Sequence, residues 1–247
     1  ASSIEELNLE EVLIDVKASA INFKDVAVIL GIIPDKKIGY EISGIVKESK
    51  SVNFKKGDHI FGSIGGDGFT NSIVCNEKYI WKNPPDMNFN QACSISISYG
   101  TAFLALIHYA MIKPGDTVLI HSATGGLGLA AIEMCKFIGC NIIATAGNDE
   151  KRNYLKNMDC IDFVTDSRNI EVYKKDILDY TNNIGVDVIL SATVDEHLDA
   201  NFDLLKPMGR LLDVSKKNIY EEKTFSLKHF IKSIQYHAVH FDKLLES

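Results

Sequence analysis

The chain has 247 residues, enough for one large domain or two of medium size, and its 46% hydrophobic and 24% charged content is that of an ordinary globular protein. A net charge of −7 argues against broad binding to nucleic acid or anionic membranes, and no apolar run approaches the ~18–20 residues that cross a bilayer. Five scattered cysteines (Cys75, Cys93, Cys135, Cys140, Cys160) without a CxxC pair fit reduced packing thiols of a cytoplasmic protein better than disulfides or a zinc site.

Up to about residue 95 the sequence reads as β-rich. Glu11–Ser19 (EVLIDVKAS) and Glu41–Ser49 (EISGIVKES) alternate apolar and polar residues, as half-buried strands do. Lys55–Gly62 (KKGDHIFG) is a Gly-Asp turn running into another strand, and Gly65–Gly68 (GGDG) marks a loop. Asn83–Ala92 predicts a connector, because Pro84 and Pro85 continue neither a helix nor a central strand.

From about Ser96 the texture changes. Tyr99–Ala110 has helical spacing and Lys113–Asp116 is a turn. Strands are then expected at Thr117–His121, Asn141–Ala146, Phe163–Asp166, Val186–Ala192, Gly209–Val214 and Tyr236–Phe241. Helices are expected between them, over Leu127–Ile138 and near Asp149–Asn157, Glu171–Tyr180 and Glu196–Leu205. This alternation predicts an α/β fold with a doubly wound parallel sheet over residues 96–247, preceded by a β-rich domain over residues 1–95.

The first strand of the alternation leads into IHSATGGLGLAAIEMC, Ile120–Cys135. A strand, a glycine turn and a helix start gather backbone N–H groups and the positive helix end at one point, which suits phosphate. Gly125 and Gly126 let the backbone turn and approach a pyrophosphate, with Thr124 and Leu127 in the same turn, and Gly128 lets the helix pack on the strand. Glycines in such a turn also serve sterics alone; the six-strand context favours a dinucleotide. NAD enzymes usually carry an acid at the tip of the second strand. Here Thr145–Arg152 (TAGNDEKR) has none at the tip, and the cations Lys151 and Arg152 follow, which favours NADPH. Asp149 points the other way, and the segment also reads as a solvated helix start.

These motifs together resemble the enoylreductase domains of type I polyketide and fatty acid synthases, in the medium-chain dehydrogenase/reductase superfamily. INFKDVAVILG (Ile21–Gly31) is similar to the family's N-F-R-D-V segment, and GYEISGIV (Gly39–Val46) to its G-x-E-x-S/A-G-x-V strand. KKGDHIFG and HSATGGLGLAAIE are similar to its K-x-G-D-x-V-x-G and glycine-turn motifs, and GVDVILSA and GRLLDVSK fall at its later strands. The resemblance implies a GroES-like substrate domain before a Rossmann domain, with NADPH held between them. Zinc-dependent relatives need a Cys within Ile21–Asp25 and a His in the Gly-His-Glu strand; Asn22 and Tyr40 stand at those positions, so no metal is expected.

The resemblance further implies conjugate reduction of a trans-2-enoyl thioester carried by an acyl carrier protein. Hydride goes to the β-carbon, charge develops on the thioester oxygen, and a proton reaches the α-carbon. The family's proton donors map onto Lys216 and Asp242, which as plain sequence are a surface pair. Thr101 falls beside the nicotinamide, and Asn148, Lys151 and Arg168 around the adenosine phosphate; Arg168 also reads as a surface charge at a helix start. Where the family has Asn-Ser-Leu, this chain has Ser191-Ala192-Thr193, so the backbone path under the nicotinamide is kept while a side-chain contact is lost. Ser215 replaces a glycine before the catalytic Lys, and Ile33 replaces a Tyr tied to α-methyl stereochemistry. Family members continue past the sixth strand to the substrate domain, so the chain reads as a piece of a longer polypeptide, a synthase expected to be a homodimer. The competing expectations are a free-standing quinone or alkenal reductase and a catalytically silent module.

Overall fold

The computed structural model describes residues 7–193 and 197–246. The chain divides into two compact units, Ala1–Ile97 and Ser98–Ser247.

The first unit comprises β1 (Glu11–Ala20), α1 (Phe23–Ile29), β2 (Glu41–Ser49), β3 (His59–Ser63), β4 (Ser72–Asn76), β5 (Ile80–Lys82) and α2 (Phe89–Ala92). Its strands form an antiparallel sheet in the order β4-β1-β2-β3-β5. The alternation seen in the sequence has its cause here: Val12, Ile14, Ile42, Val46 and Ile60 point to one apolar cluster. Two features depart from expectation. Helix α1 replaces an unassigned segment, and it buries Asp25 and Ala27 while Phe23 and Ile29 stay exposed, so it shows no inward apolar stripe. The connector's second half is helical, because Asn88 and Gln91 cap each other's backbone N–H groups at 3.1 and 3.0 Å.

Helix α3 (Ser96–Ala102) runs into a π-helical segment, Phe103–Tyr109, in which Ala110 N–H donates to the Ala105 carbonyl five residues back at 2.9 Å. With a mean hydropathy of 1.2, the stretch Phe89–Tyr109 meets the length and composition of a bilayer span, contrary to the reading of apolar runs. Leu104, Ala105 and Leu106 are buried in the core of the second unit, so packing accounts for part of that apolar content.

The remaining elements are β6 (Thr117–Ile120), α4 (Gly126–Ile138), β7 (Asn141–Ala146), α5 (Asp149–Lys156), β8 (Phe163–Asp166), α6 (Ile170–Tyr180), β9 (Val186–Ser191), α7 (His197–Leu204), β10 (Leu205–Asp213), α8 (Lys216–Tyr220), β11 (Gln235–Ala238) and α9 (Phe241–Glu246). The six strands are parallel in the order β11-β10-β9-β6-β7-β8. Successive residues of β6 face opposite sides. Val118 and Ile120 join Ala130 and Ala131 of α4, while Leu119 joins Tyr173 of α6 and Phe202 of α7. The sheet is therefore covered on both faces, as the apolar strands require.

From β6 the chain steps outward to β7 and β8, then crosses back to β9 on the other side of β6. The connections leaving β6 and β9 diverge, and the carboxyl edge between them is the crevice where such sheets take ligands. Two strand ends differ from expectation. β10 begins at Leu205, which pairs with Val186 ahead of an irregularity that ends at Arg210 and in which Met208 is left-handed (φ 63°). β11 stops at Ala238, and Phe241 opens a helix. Glu196, the expected start of α7, lies outside the described residues.

Candidate active site

After β6 the backbone turns through Ser122, whose φ of 52° is left-handed for a residue with a side chain. The glycines do not make this bend: Gly125, just before α4, is extended at φ −77°, ψ 166°. They act by what they lack. Gly125 caps the helix without a side-chain oxygen, so the first-turn N–H groups keep no side-chain partner. Gly125 and Gly126 are exposed, and Thr124 and Leu127 are half-buried beside them. A Cβ on Gly125 would meet only the Ser122 carbonyl, at 3.3 Å, and would otherwise stand on the open side of the turn. On Gly128 it would lie 2.6 Å from the Ala123 backbone, so this glycine is what lets α4 start against the turn. Donors at the positive helix end, with no side chain over them, fit a pyrophosphate.

The next two strand ends carry cations. Gly147 follows β7, and Arg168 lies across it, its Nε 2.9 Å from where a Cβ would be. Asn148 caps α5, accepting from Lys151 N–H at 2.9 Å. The Lys151 side chain is exposed, and among the described residues no hydrogen bond or ion pair engages it. Arg152 is different from the cation anticipated. Its guanidinium donates to Asp149 and Asp166, both at 2.6 Å, and to the Ala146 carbonyl at 3.0 Å. Burial works to raise the Asp166 carboxyl, but the Arg168 and Asn169 N–H groups and Arg152 outweigh it and hold it below its usual range. Arg152 is thus spent on internal pairing, and Asp149, the contrary carboxylate, is paired with it.

On the other side of the turn, Ser191 ends β9 and is 1% exposed. Its hydroxyl belongs to a buried polar chain that sequence spacing does not reveal. Asn201 of α7 donates through Nδ2 to Ser191 Oγ and Thr193 Oγ1, each at 3.2 Å. Its Oδ1 accepts from His121 Nε2 at 2.9 Å and from the Tyr173 hydroxyl at 3.3 Å, and His121 Nδ1 accepts from Thr145 Oγ1 at 3.1 Å. Burial is the main force lowering His121 to a pKa of about 4; the bond to Asn201 opposes it. The imidazole is therefore neutral, with one nitrogen donating and the other accepting. The one signal available was a histidine closing an apolar strand.

The two proton-transfer candidates follow adjacent strands. β10 and β11 are paired at Asp213 and Ala238; Lys216 opens α8 beyond the first, and Asp242 lies in the first turn of α9 beyond the second. The Lys216 side chain lies outside the described residues. Asp213, 1% exposed and also unforeseen, shapes the turn toward Lys216 by accepting from Ser215 N–H at 2.7 Å and the Tyr236 hydroxyl at 2.9 Å. Burial, only partly offset by these donors, raises its pKa. Thr101 of α3 comes to the same place: the Phe241 ring packs against its neighbour Gly100, where a Cβ would be 2.6 Å from the ring, and Ser98 Oγ lies 3.0 Å from the Cβ position of Gly126. At the parallel-sheet edge, α3 thus lies beside both the glycine turn and the start of α9.

Two families match the chain: one described as an alcohol dehydrogenase GroES-like domain, over residues 8–85, and one as a zinc-binding dehydrogenase, over residues 126–240. The chain belongs to the medium-chain dehydrogenase/reductase superfamily of oxidoreductases. Within this superfamily it is similar to the hybrid PKS-NRPS synthetase pynA of Aspergillus niger, 37% identical over 243 residues, and to a highly reducing polyketide synthase of Didymella fabae, 34% identical over 232 residues. These alignments cover 96% and 93% of the chain but only 6% and 12% of the synthases. Among solved structures it resembles the CurK enoyl reductase, with a TM-score of 0.87 and 27% identity over 96% of the chain and 75% of that protein.

A medium-chain dehydrogenase/reductase fold indicates a nicotinamide dinucleotide, and the uncovered donors of the glycine turn fit one. The second family's description names zinc, but Asn22 and Tyr40, at the positions where a Cys and a His would ligate it, are engaged otherwise. Asn22 is committed to Glu41, its Nδ2 donating at 2.9 Å, and the Tyr40 hydroxyl to Asp35 and the Lys37 carbonyl. Among the described residues no three His, Cys, Asp or Glu side chains converge.

Proposed function

We propose that this chain is the enoylreductase part of a type I polyketide or fatty acid synthase, reducing trans-2-enoyl thioesters on an acyl carrier protein with NADPH. The observation that carries the reading is the likeness to the CurK enoyl reductase over 96% of the chain. The alignments to polyketide synthases support further domains on the same polypeptide; that the synthase is homodimeric and cytoplasmic belongs to the same proposal.

NADPH supplies hydride to the β-carbon of the enoyl group. The chain's residues hold and protonate. First-turn N–H groups of α4 take the pyrophosphate, and Lys151 and Arg168 take the 2′-phosphate, which a carboxylate at the β7 tip would repel. Thr101 and the Ser191–Thr193 turn flank the nicotinamide end. Lys216 delivers the proton to the α-carbon as charge withdraws from the thioester oxygen, and Asp242 orients or recharges it. An enoyl thioester is already activated for conjugate addition, so the proposed reaction needs no Lewis acid.

Fluorescence titration of the 247-residue chain with NADPH and NADH tests the cofactor half. Tighter NADPH binding, reduced toward NADH affinity in Lys151→Ala, is expected; equal affinities in the parent chain overturn the assignment. Turnover of crotonyl-pantetheine against a quinone tests the substrate half, and preference for the quinone sinks it.

A further inference from the structure

We propose that Thr193 is a cofactor-binding residue whose hydroxyl donates a hydrogen bond to the carboxamide oxygen of the nicotinamide. The inference rests on the nicotinamide-dinucleotide reading above, and deepens it by naming a contact that the resemblance counted as lost.

Placement comes first. Leu190 of β9 pairs with Ile120 of β6, so Ser191–Thr193 leaves the sheet edge beside the glycine turn, at the switch point. Asn148, Lys151 and Arg168 follow β7 and the neighbouring β8, on the opposite side of that turn. A dinucleotide with its 2′-phosphate among those cations and its pyrophosphate on the turn extends its nicotinamide toward β9.

Proton counting then fixes what Thr193 can offer. The Ser191 hydroxyl oxygen accepts from Thr193 N–H at 3.3 Å and from Asn201 Nδ2 at 3.2 Å, which fills its two lone pairs. Its own proton must therefore serve the 2.9 Å contact to Thr193 Oγ1. Thr193 Oγ1 accepts that proton and one from Asn201 Nδ2, so it too is full as an acceptor. Only its hydrogen remains, and no further acceptor lies within bonding distance among the described residues. This count holds for the Asn201 amide as the structure places it, with Nδ2 toward the two hydroxyls and Oδ1 toward His121 and Tyr173. The chain from Thr145 to Thr193 thus ends in one outward donor, half-buried at the crevice. A carboxamide oxygen is the acceptor that nicotinamide presents. Ser191 is its support and Thr193 the contact.

The test measures affinity, not turnover. NADPH binding is followed by fluorescence, and 2′-phospho-ADP-ribose, which lacks the nicotinamide, by calorimetry, for the parent chain, Thr193→Val and Thr193→Ser. Thr193→Val is expected to weaken NADPH about three- to tenfold, as loss of one neutral hydrogen bond does, while 2′-phospho-ADP-ribose binds as before and Thr193→Ser restores most of the loss. Unchanged NADPH affinity in Thr193→Val, or an equal loss for both ligands, overturns the proposal. If the parent chain binds neither ligand, the dinucleotide reading itself fails, and the contact with it.

Discussion

His121 offers a stability measurement that isolates the buried polar chain. The imidazole is 2% exposed and its pKa is lowered from 6.5 to about 4, chiefly by burial. The native state therefore keeps it neutral, while the unfolded state takes up a proton below pH 6.5. Its stabilising share is complete above that pH and drains away as pH falls toward 4. At about 1.4 kcal/mol per pKa unit, the loss between pH 7 and pH 5 is about 2 kcal/mol, a large part of a typical margin. His237, also lowered by burial, acts in the same direction, whereas Glu41 and Asp213, raised by burial, act in the opposite one. All three are common to a His121→Gln variant, so the comparison removes them. Urea unfolding followed by far-UV circular dichroism at pH 7 and pH 5 should show the parent losing about 2 kcal/mol more than His121→Gln over that interval. Equal losses in the two proteins would refute the buried, neutral imidazole.

Two further predictions concern the sheet edge. Gly128→Ala puts a methyl 2.6 Å from immovable Ala123 backbone and should destabilise the second unit by about 1–3 kcal/mol or more, read as a fall in melting temperature, whereas Gly125→Ala, 3.3 Å from one carbonyl, should melt normally yet bind NADPH poorly. Asp213→Asn exchanges one acceptor for a donor in the turn before Lys216; enoyl-thioester turnover should fall about ten- to a hundredfold with NADPH affinity unchanged, and undiminished turnover would remove Asp213 from the reaction.

The parallel sheet was legible because its strands are buried on both faces and its helices on one, so apolar runs mark them. β7 and β8 fall at the residues expected, Asn141–Ala146 and Phe163–Asp166. Helix α1 was missed for the converse reason: it buries a carboxylate, Asp25, held by Asn22 and Gly39 N–H groups at 2.6 Å, and exposes Phe23. At the site, the glycine turn announces itself in five consecutive residues. The fate of Arg152 could not be read, because its partner Asp166 sits on β8, beyond the helix that carries Arg152. The polar chain was hidden likewise, since Thr145, His121, Asn201 and Ser191 meet only when β6, β7, β9 and α7 are brought together.

Stability alone gives no reason for that chain. A typical internal hydrogen bond nets about 1 kcal/mol, and an apolar set of the same shape would serve an α/β core about as well. A single broken link, by contrast, strands a buried donor or acceptor at about 1–3 kcal/mol, so the chain makes the core less tolerant of change. What it provides is orientation. His121 is neutral because it is buried, so it donates once and accepts once; its Nε2–H meets Asn201 Oδ1, and the same amide turns Nδ2 toward both hydroxyls after β9. An apolar core could hold the same backbone, but it could not determine which way the last proton points. The imidazole below the sheet edge and the donor at the edge are therefore one device, joined through the Asn201 amide.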